Sequence, residues 1–126
     1  RLRMKLPEGM PDLPNPIAEL AESGLGEPTR IIKLVPPNNH ADGTRAHVHF
    51  EPVEGAAKYF IWCSAYPHGT GAVNLTPAGA TNGALMHGMR PEVKLFYFVI
   101  WEDANGQKSL PSTAHEQVLI DQFKEK

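Results

Sequence analysis

The chain has 126 residues, with 12 basic and 14 acidic side chains and a formal net charge of −2. This length suits one domain with a hydrophobic core of ordinary size. The absence of a basic excess disfavours nucleic acid and anionic membrane as partners, and no run of 18 or more apolar residues predicts a membrane span.

No charged segment followed by an apolar stretch opens the chain, which favours either a cytosolic protein or a fragment that begins after a removed signal. The sequence starts at "RLRMKLPEG" without an initiator methionine, so we expect a piece of a longer protein. The one cysteine, Cys63, excludes an internal disulfide and, within the apolar run "FIWCSA", is expected to be a small buried hydrophobic residue.

Residues 1–27 are predicted to form an N-terminal arm or linker. Seven of the twelve prolines lie in the first 37 residues, and prolines this close together exclude long helices and central strands. One short helix is predicted within the arm, with Asn15 as its N-cap, Pro16 in its first turn and Gly24 at its end. The apolar side of this helix would consist of Ile17, Leu20 and Leu25.

From residue 28 onward, short runs of β-branched and aromatic residues alternate with turn residues. This pattern predicts an all-β domain of about seven strands without a central helix, as in a β-sandwich. The predicted strands are, in chain order, 29–35, 45–50, 57–64, 72–76, 83–89, 94–101 and 116–120.

Three of these stretches together resemble the fibronectin type III family of immunoglobulin-like β-sandwiches. "FEPVEGAAKYFIW" (50–62) is similar to the passage from the second to the third strand, and "MRPEVKLFYFVIW" (89–101) to the sixth strand and its approach. "EDANGQKSLPS" (102–112) is similar to the hairpin that follows. The resemblance covers residues 28–121, implies a seven-stranded antiparallel domain there, and leaves 122–126 as a C-terminal tail.

Two positions depart from the family's pattern. Phe50 stands where the family usually has tryptophan, and Leu95 stands where its tyrosine corner would fall, so Tyr97 is expected to point into the core instead. The register that the resemblance implies places the following residues inward: Ile32, Leu34, Ala46, Val48, Phe50, Tyr59, Ile61, Cys63, Leu95, Tyr97 and Val99.

Alternation then places large apolar residues outward on the third and sixth strands. These two strands are neighbours in the sheet that the resemblance implies, and an apolar outer surface of this size is typical of an interface. The predicted interface residues are Phe60, Trp62, Phe96, Phe98 and Ile100.

Three kinds of partner would cover this surface. The first is protein: an adjacent domain of the parent chain, or the arm itself. The second is another copy in a homodimer, and the third is a sugar stacked on an aromatic platform. The composition, mostly Phe and Ile, favours a dry protein interface. The apolar residues that the arm would contribute are Met4, Leu6, Met10, Leu13, Ile17 and Leu20.

Three histidines are the candidate metal ligands. His47 and His49 share one side of a strand, and the family's register turns His87 outward on the neighbouring strand. Imidazole nitrogen suits zinc, copper and nickel. No carboxylate or cysteine follows at ligand spacing, so we predict exposed histidines without a metal, and no cofactor.

No catalytic motif is present: the sequence lacks a nucleophile elbow, a phosphate-binding loop, a dinucleotide fingerprint and a zinc-protease helix. The resemblance implies a non-catalytic accessory module of a larger, possibly carbohydrate-active protein, which docks or spaces a neighbouring domain. The alternative is a module that binds carbohydrate or protein directly through the same aromatic face. The family's usual setting also favours a location outside the cytoplasm, by analogy alone.

Overall fold

The computed structural model describes residues 13–36, 42–76, 79–80 and 85–121. The remaining parts of the predicted arm and tail, residues 1–12 and 122–126, lie outside the described residues. Within the described ranges the chain forms one helix and seven strands. These are α1 (Pro16–Ser23), β1 (Ile31–Val35), β2 (Arg45–Phe50), β3 (Ala56–Ser64), β4 (Val73–Asn74), β5 (Leu85–His87), β6 (Lys94–Asp103) and β7 (His115–Val118).

Helix α1 confirms the predicted helix and both of its ends. The Asn15 side chain accepts a hydrogen bond of 3.0 Å from the backbone N–H of Ala18, which satisfies a donor that the first turn leaves free. Pro16 occupies the first turn, and the chain leaves the helix at Gly24. No helix in the described part of the chain is long and apolar enough to cross a membrane.

The strands form two antiparallel sheets that face each other, which confirms the predicted all-β sandwich. The smaller sheet has the order β1-β2-β5, and the larger sheet has the order β4-β3-β6-β7. The longest pairing joins β3 to β6, from Ala56 opposite Asp103 to Ser64 opposite Phe96. Alternating strands of this kind present one face to the partner sheet and the other face outward.

The core lies between the sheets and contains nearly all the predicted inward residues. Phe50 and Cys63 are only partly buried and pack against it, and the Phe50 ring centre lies 4.3 Å from that of Tyr59. Tyr97 is 0% exposed, as expected for a ring that points into the core. The buried core residues are Ile31, Leu34, Ala46, Val48, Tyr59, Ile61, Met86, Met89, Leu95, Tyr97, Val99 and Leu119.

The inward assignment of Ile32 is wrong. Ile32 is 47% exposed, whereas its neighbour Ile31 is 7% exposed and belongs to the core. The register of β1 against β2 shifts between Ile31 and Lys33, because the strand has an irregularity there. An extra residue in one strand reverses the faces on one side of the irregularity, and strict alternation cannot foresee this.

Candidate functional site

The predicted interface residues lie on the outer face of the larger sheet. Phe60 stands opposite Ile100 and Trp62 opposite Phe98, while Phe96 lies two residues before Phe98 in β6. Residues that stand opposite each other in an antiparallel pair share a face, so the five side chains form one surface. We call Phe60, Trp62, Phe96, Phe98 and Ile100 the outer face.

Helix α1 lies on part of this outer face. Ile17 is 5% exposed and forms one cluster with Phe98, at 3%, and Ile100, at 1%. Leu20 and Ala72 pack against the edge of this cluster, as do the half-buried Trp62 and Phe96. All the outer-face residues except Phe60 therefore belong to a second, smaller hydrophobic cluster, which the larger sheet separates from the sandwich core.

Hydrogen bonds hold the arm at the end where α1 begins. The backbone N–H of Gly71 donates to the Pro14 carbonyl at 2.7 Å, and the Asn15 side-chain amide donates to the His68 carbonyl at 2.9 Å. Gly69 has a φ of +91°, and a Cβ there would lie 2.5 Å from the Ile17 side chain. The loop after β3 therefore needs glycine both for its backbone conformation and for the approach of α1.

The arm is held again beyond the C-terminal end of α1. Leu25 donates from its backbone N–H to the Lys108 carbonyl at 2.8 Å, and Leu110 donates to the Gly26 carbonyl at 2.8 Å. A Cβ on Gly26 would lie 2.5 Å from the Trp101 ring, whose indole N–H donates to the Glu27 carbonyl at 2.8 Å. The described part of the arm therefore packs on the sandwich at both ends of α1. At each end its backbone groups bond to the sandwich, whereas those of a free linker would bond to water.

The helix leaves a groove open beside it. This cavity of about 280 Å³ has Ile100 in its apolar lining and carries Asn74 and Lys108 as its polar groups. The Asn74 side-chain oxygen accepts from the backbone N–H of Thr76 at 2.9 Å, and the Lys108 ammonium lies 3.1 Å from the Glu102 carboxylate. The other lining residues are Leu20, Phe60 and Trp62.

The candidate histidines do not come together as a metal site. His47 and His49 are exposed on β2, and the exposed His87 on β5 stands opposite Arg45, whose positive charge opposes a cation. In the described ranges, no group of three His, Cys, Asp or Glu side chains is placed to hold a metal ion.

Cys63 is half-buried on the inner side of β3, beside Tyr97. Burial raises the pKa of its thiol from the ordinary 9.0 to about 11, and interaction with Tyr97 lowers it only in part. A thiol that holds its proton so firmly is a poor nucleophile at neutral pH. This agrees with the predicted role of Cys63 as a small apolar residue.

The sequence analysis did not identify the residues of the sandwich that bind the arm, such as Gly69, Gly71 and Lys108. Ile17 and Leu20 pack in the cluster on the outer face, but Leu25 is 74% exposed, because the chain has left the helix and pairs with Lys108 there. The glycine-rich loop "HGTGA" (68–72) was the available signal, since closely spaced glycines often permit a close backbone approach. The sequence of this loop does not indicate, however, that α1 is the segment that packs against it.

Comparisons with known proteins support the fold. The sequence matches no protein-family model and no curated protein sequence. Its fold is similar to a solved structure of the twitchin kinase region from C. elegans (Fn31-NL-kin-CRD-Ig26), with a TM-score of 0.54 and 15% identity. The match covers 79% of this chain and 18% of that structure.

At this identity the likeness shows the fold alone, an immunoglobulin-like β-sandwich of the fibronectin type III kind. The chain spans under a fifth of the matched structure, so the twitchin fragment's kinase says nothing about the activity of this protein.

Proposed function

We propose that this chain is a non-catalytic accessory module of a larger protein, which holds a neighbouring domain in place through its outer face. The observation that carries the proposal is the seating of the arm: Ile17 fills the outer face over Phe98 and Ile100, and hydrogen bonds secure the backbone on both sides of α1. A segment anchored in this way fixes the position of a domain that precedes it relative to the sandwich. A flexible linker would limit only the distance between the two domains.

Two variants of the first turn of α1 test this proposal. Ile17→Asp should release the helix, because it removes an apolar side chain whose burial contributes ~1.5–3 kcal/mol and places a charge over Phe98. Ala18→Asp is the matched control, since Ala18 is exposed in the same turn and the helix dipole favours an acidic residue equally at both positions.

The measurement is limited proteolysis with a glutamate-specific protease, which can cut α1 at Glu19 and Glu22 once it undocks. We expect fast cleavage in Ile17→Asp and slow cleavage in both Ala18→Asp and the unchanged protein. Equal cleavage rates in all three would mean that the arm is not seated in solution, and the proposal would then fail.

A second candidate, direct binding of carbohydrate, is favoured by the groove beside α1. Phe60 and Trp62 offer aromatic faces there, and Asn74 and Lys108 offer polar groups for hydroxyls. A glycan panel monitored by tryptophan fluorescence separates the two functions: a response that Asn74→Ala abolishes would support carbohydrate binding. The location outside the cytoplasm and a homodimer stay predictions.

A further inference from the structure

The smaller sheet exposes a face of its own, on the side of the sandwich opposite α1. Ala46 and Val48 of β2 are buried in the core, so His47 and His49, which alternate with them, point outward, and both are exposed. The exposed Lys33 of β1 stands opposite His49. Because residues that stand opposite each other share a face, the Lys33 ammonium and the two imidazoles lie on one surface.

The strand β5 adds further basic groups on the other side of β2. The exposed His87 stands opposite the half-buried Arg45, which alternates outward along β2 as well. His115 of β7, in contrast, lies at the edge of β1, where its ring nitrogen is 2.7 Å from the Gln117 side-chain oxygen. We call the following five residues the cationic face: Lys33, Arg45, His47, His49 and His87.

The carboxylates next to the cationic face already have partners. Glu51 directly follows β2, and its carboxylate lies 2.7 Å from the Arg30 guanidinium. Asp42 precedes β2 and accepts hydrogen bonds from the backbone N–H and the hydroxyl of Thr44, at 3.0 and 2.7 Å. In the part of the chain that the structure describes, no residue of the cationic face forms an ion pair. Its positive charges are therefore available to an external anion.

The charge of this face depends on pH. Histidine is the side chain that changes charge between pH 8 and pH 5, whereas lysine and arginine stay positive throughout. Protonation of the histidines would place like charges opposite each other, His49 against Lys33 and His87 against Arg45. Like charges directly opposite in a sheet are unfavourable, so a bound anion becomes more favourable as the pH falls.

We propose that the cationic face binds an extended acidic peptide segment of a partner protein, more tightly at pH 5.5 than at pH 7.5. Alternate residues of a strand repeat every ~7 Å. An extended peptide running along β2 repeats its own side chains at the same distance, so acidic residues at every second position would meet Arg45, His47 and His49 in turn. The β2 backbone already pairs with β1 and β5, so side-chain charge, and not strand addition, would carry the recognition.

The test titrates the full chain with two synthetic peptides of identical composition. In one peptide glutamate alternates with serine, and in the other the same glutamates form a single block. Calorimetry at pH 7.5 and pH 5.5 covers the range in which histidine gains charge while glutamate stays ionised. We expect the alternating peptide to bind about tenfold more tightly at pH 5.5, the scale of three weak surface ion pairs, and to bind more tightly than the block peptide there.

Histidine variants show whether the cationic face carries this response. Replacing His47, His49 and His87 together by glutamine should abolish the pH dependence. His68→Gln is the matched control, because His68 is exposed in the loop after β3 and lies outside this face, so its binding should match that of the unchanged protein. Backbone amide signals that move on titration should belong to β1, β2 and β5.

Several results would overturn the proposal. These are no binding at pH 5.5, equal affinity at both pH values, equal affinity for both peptides, or an unchanged pH response in the triple variant. Signals that move on α1 instead would place the peptide on the outer face. Tighter binding of polygalacturonate than of the alternating peptide would identify an acidic polysaccharide as the ligand. The cationic face lies on the other sheet from the outer face, so neither the proposal nor its failure depends on the proposed function.

Discussion

Two buried tyrosines differ in what their hydroxyl groups contact. The Tyr59 hydroxyl accepts from the backbone N–H of Val53 at 2.9 Å and donates to its carbonyl at 3.4 Å. The Tyr97 hydroxyl is buried without a hydrogen-bond partner of normal geometry in the described structure. The Cys63 thiol lies beside it, and sulfur is a weak donor and acceptor.

We therefore expect opposite results from removing the two hydroxyls. Tyr59→Phe leaves the Val53 backbone N–H unpaired, although the Val53 carbonyl still accepts from the Ala56 N–H at 3.2 Å, and should lower the free energy of unfolding by ~1–2 kcal/mol. Tyr97→Phe removes an unsatisfied polar atom and should be neutral or stabilising. Urea denaturation at pH 7 measures both variants in the same background. A Tyr97→Phe cost as large as that of Tyr59→Phe would reveal a partner for the Tyr97 hydroxyl.

Tyr97→Phe should also change how the free energy of unfolding depends on pH above pH 10. Burial raises the pKa of Tyr97 above its ordinary 10.0, so above pH 10 the unfolded chain releases a proton that the native protein retains. The unfolded state then binds fewer protons, and stability falls as the pH rises. Tyr97→Phe should reduce this fall, so its advantage over the unchanged protein grows above pH 10.

At the scale of single elements, α1 depends on the shape of a loop that is remote in sequence. Gly69 and Gly55 have nearly the same φ, +91° and +89°, but different surroundings. A Cβ on Gly69 would meet the Ile17 side chain at 2.5 Å, whereas a Cβ on Gly55 would meet nothing within 4 Å. Substitution of Gly55 would therefore introduce backbone strain alone, whereas substitution of Gly69 would also introduce a steric clash with α1.

Alanine at each of these glycines should distinguish the two effects. Both variants incur backbone strain of ~1–3 kcal/mol, because a left-handed conformation is unfavourable for alanine. Only Gly69→Ala should also undock α1, which glutamate-specific cleavage at Glu19 and Glu22 would detect. Equal cleavage of Gly69→Ala and Gly55→Ala would contradict the packing described for Ile17.

At the scale of the whole molecule, a side chain joins the two sheets along one side of the sandwich. Gln117 of β7 accepts from the Leu34 N–H at 3.1 Å and donates to the Leu34 carbonyl at 2.8 Å. Its oxygen also lies 2.7 Å from the His115 ring nitrogen. Because these Leu34 groups point away from β2, Gln117 satisfies the free edge of β1 and closes the sandwich there.

Gln117→Met should lower the free energy of unfolding by ~1–3 kcal/mol, since it leaves a backbone donor and acceptor of β1 without partners. Gln107→Met is the matched control, because Gln107 is exposed and its side chain makes no hydrogen bond to a described residue. Chemical denaturation compares the two. A loss shared equally by both variants would show that the bridge contributes nothing specific.

Most of the fold could be predicted because its signals are local. The alternation of β2 and β3 and the capping residues of α1 depend on neighbours within a few positions, and the matching elements form close to the predicted bounds. Ile32 could not be placed correctly, because the irregularity in β1 depends on how that strand fits β2. Of the candidate site, the residues of the outer face were predictable from alternation, but the exposure of each one was not.

The sequence by itself determined which segments form strands, where the one described helix begins and ends, and that β3 and β6 have apolar side chains on both faces. Only the tertiary structure decided that α1 lies over Phe98 and Ile100, that Gly69 must be small, and that Gln117 joins the sheets. The reason is physical: each of these contacts joins residues more than 45 positions apart, so its energy depends on how folded segments approach each other, which local propensity does not encode.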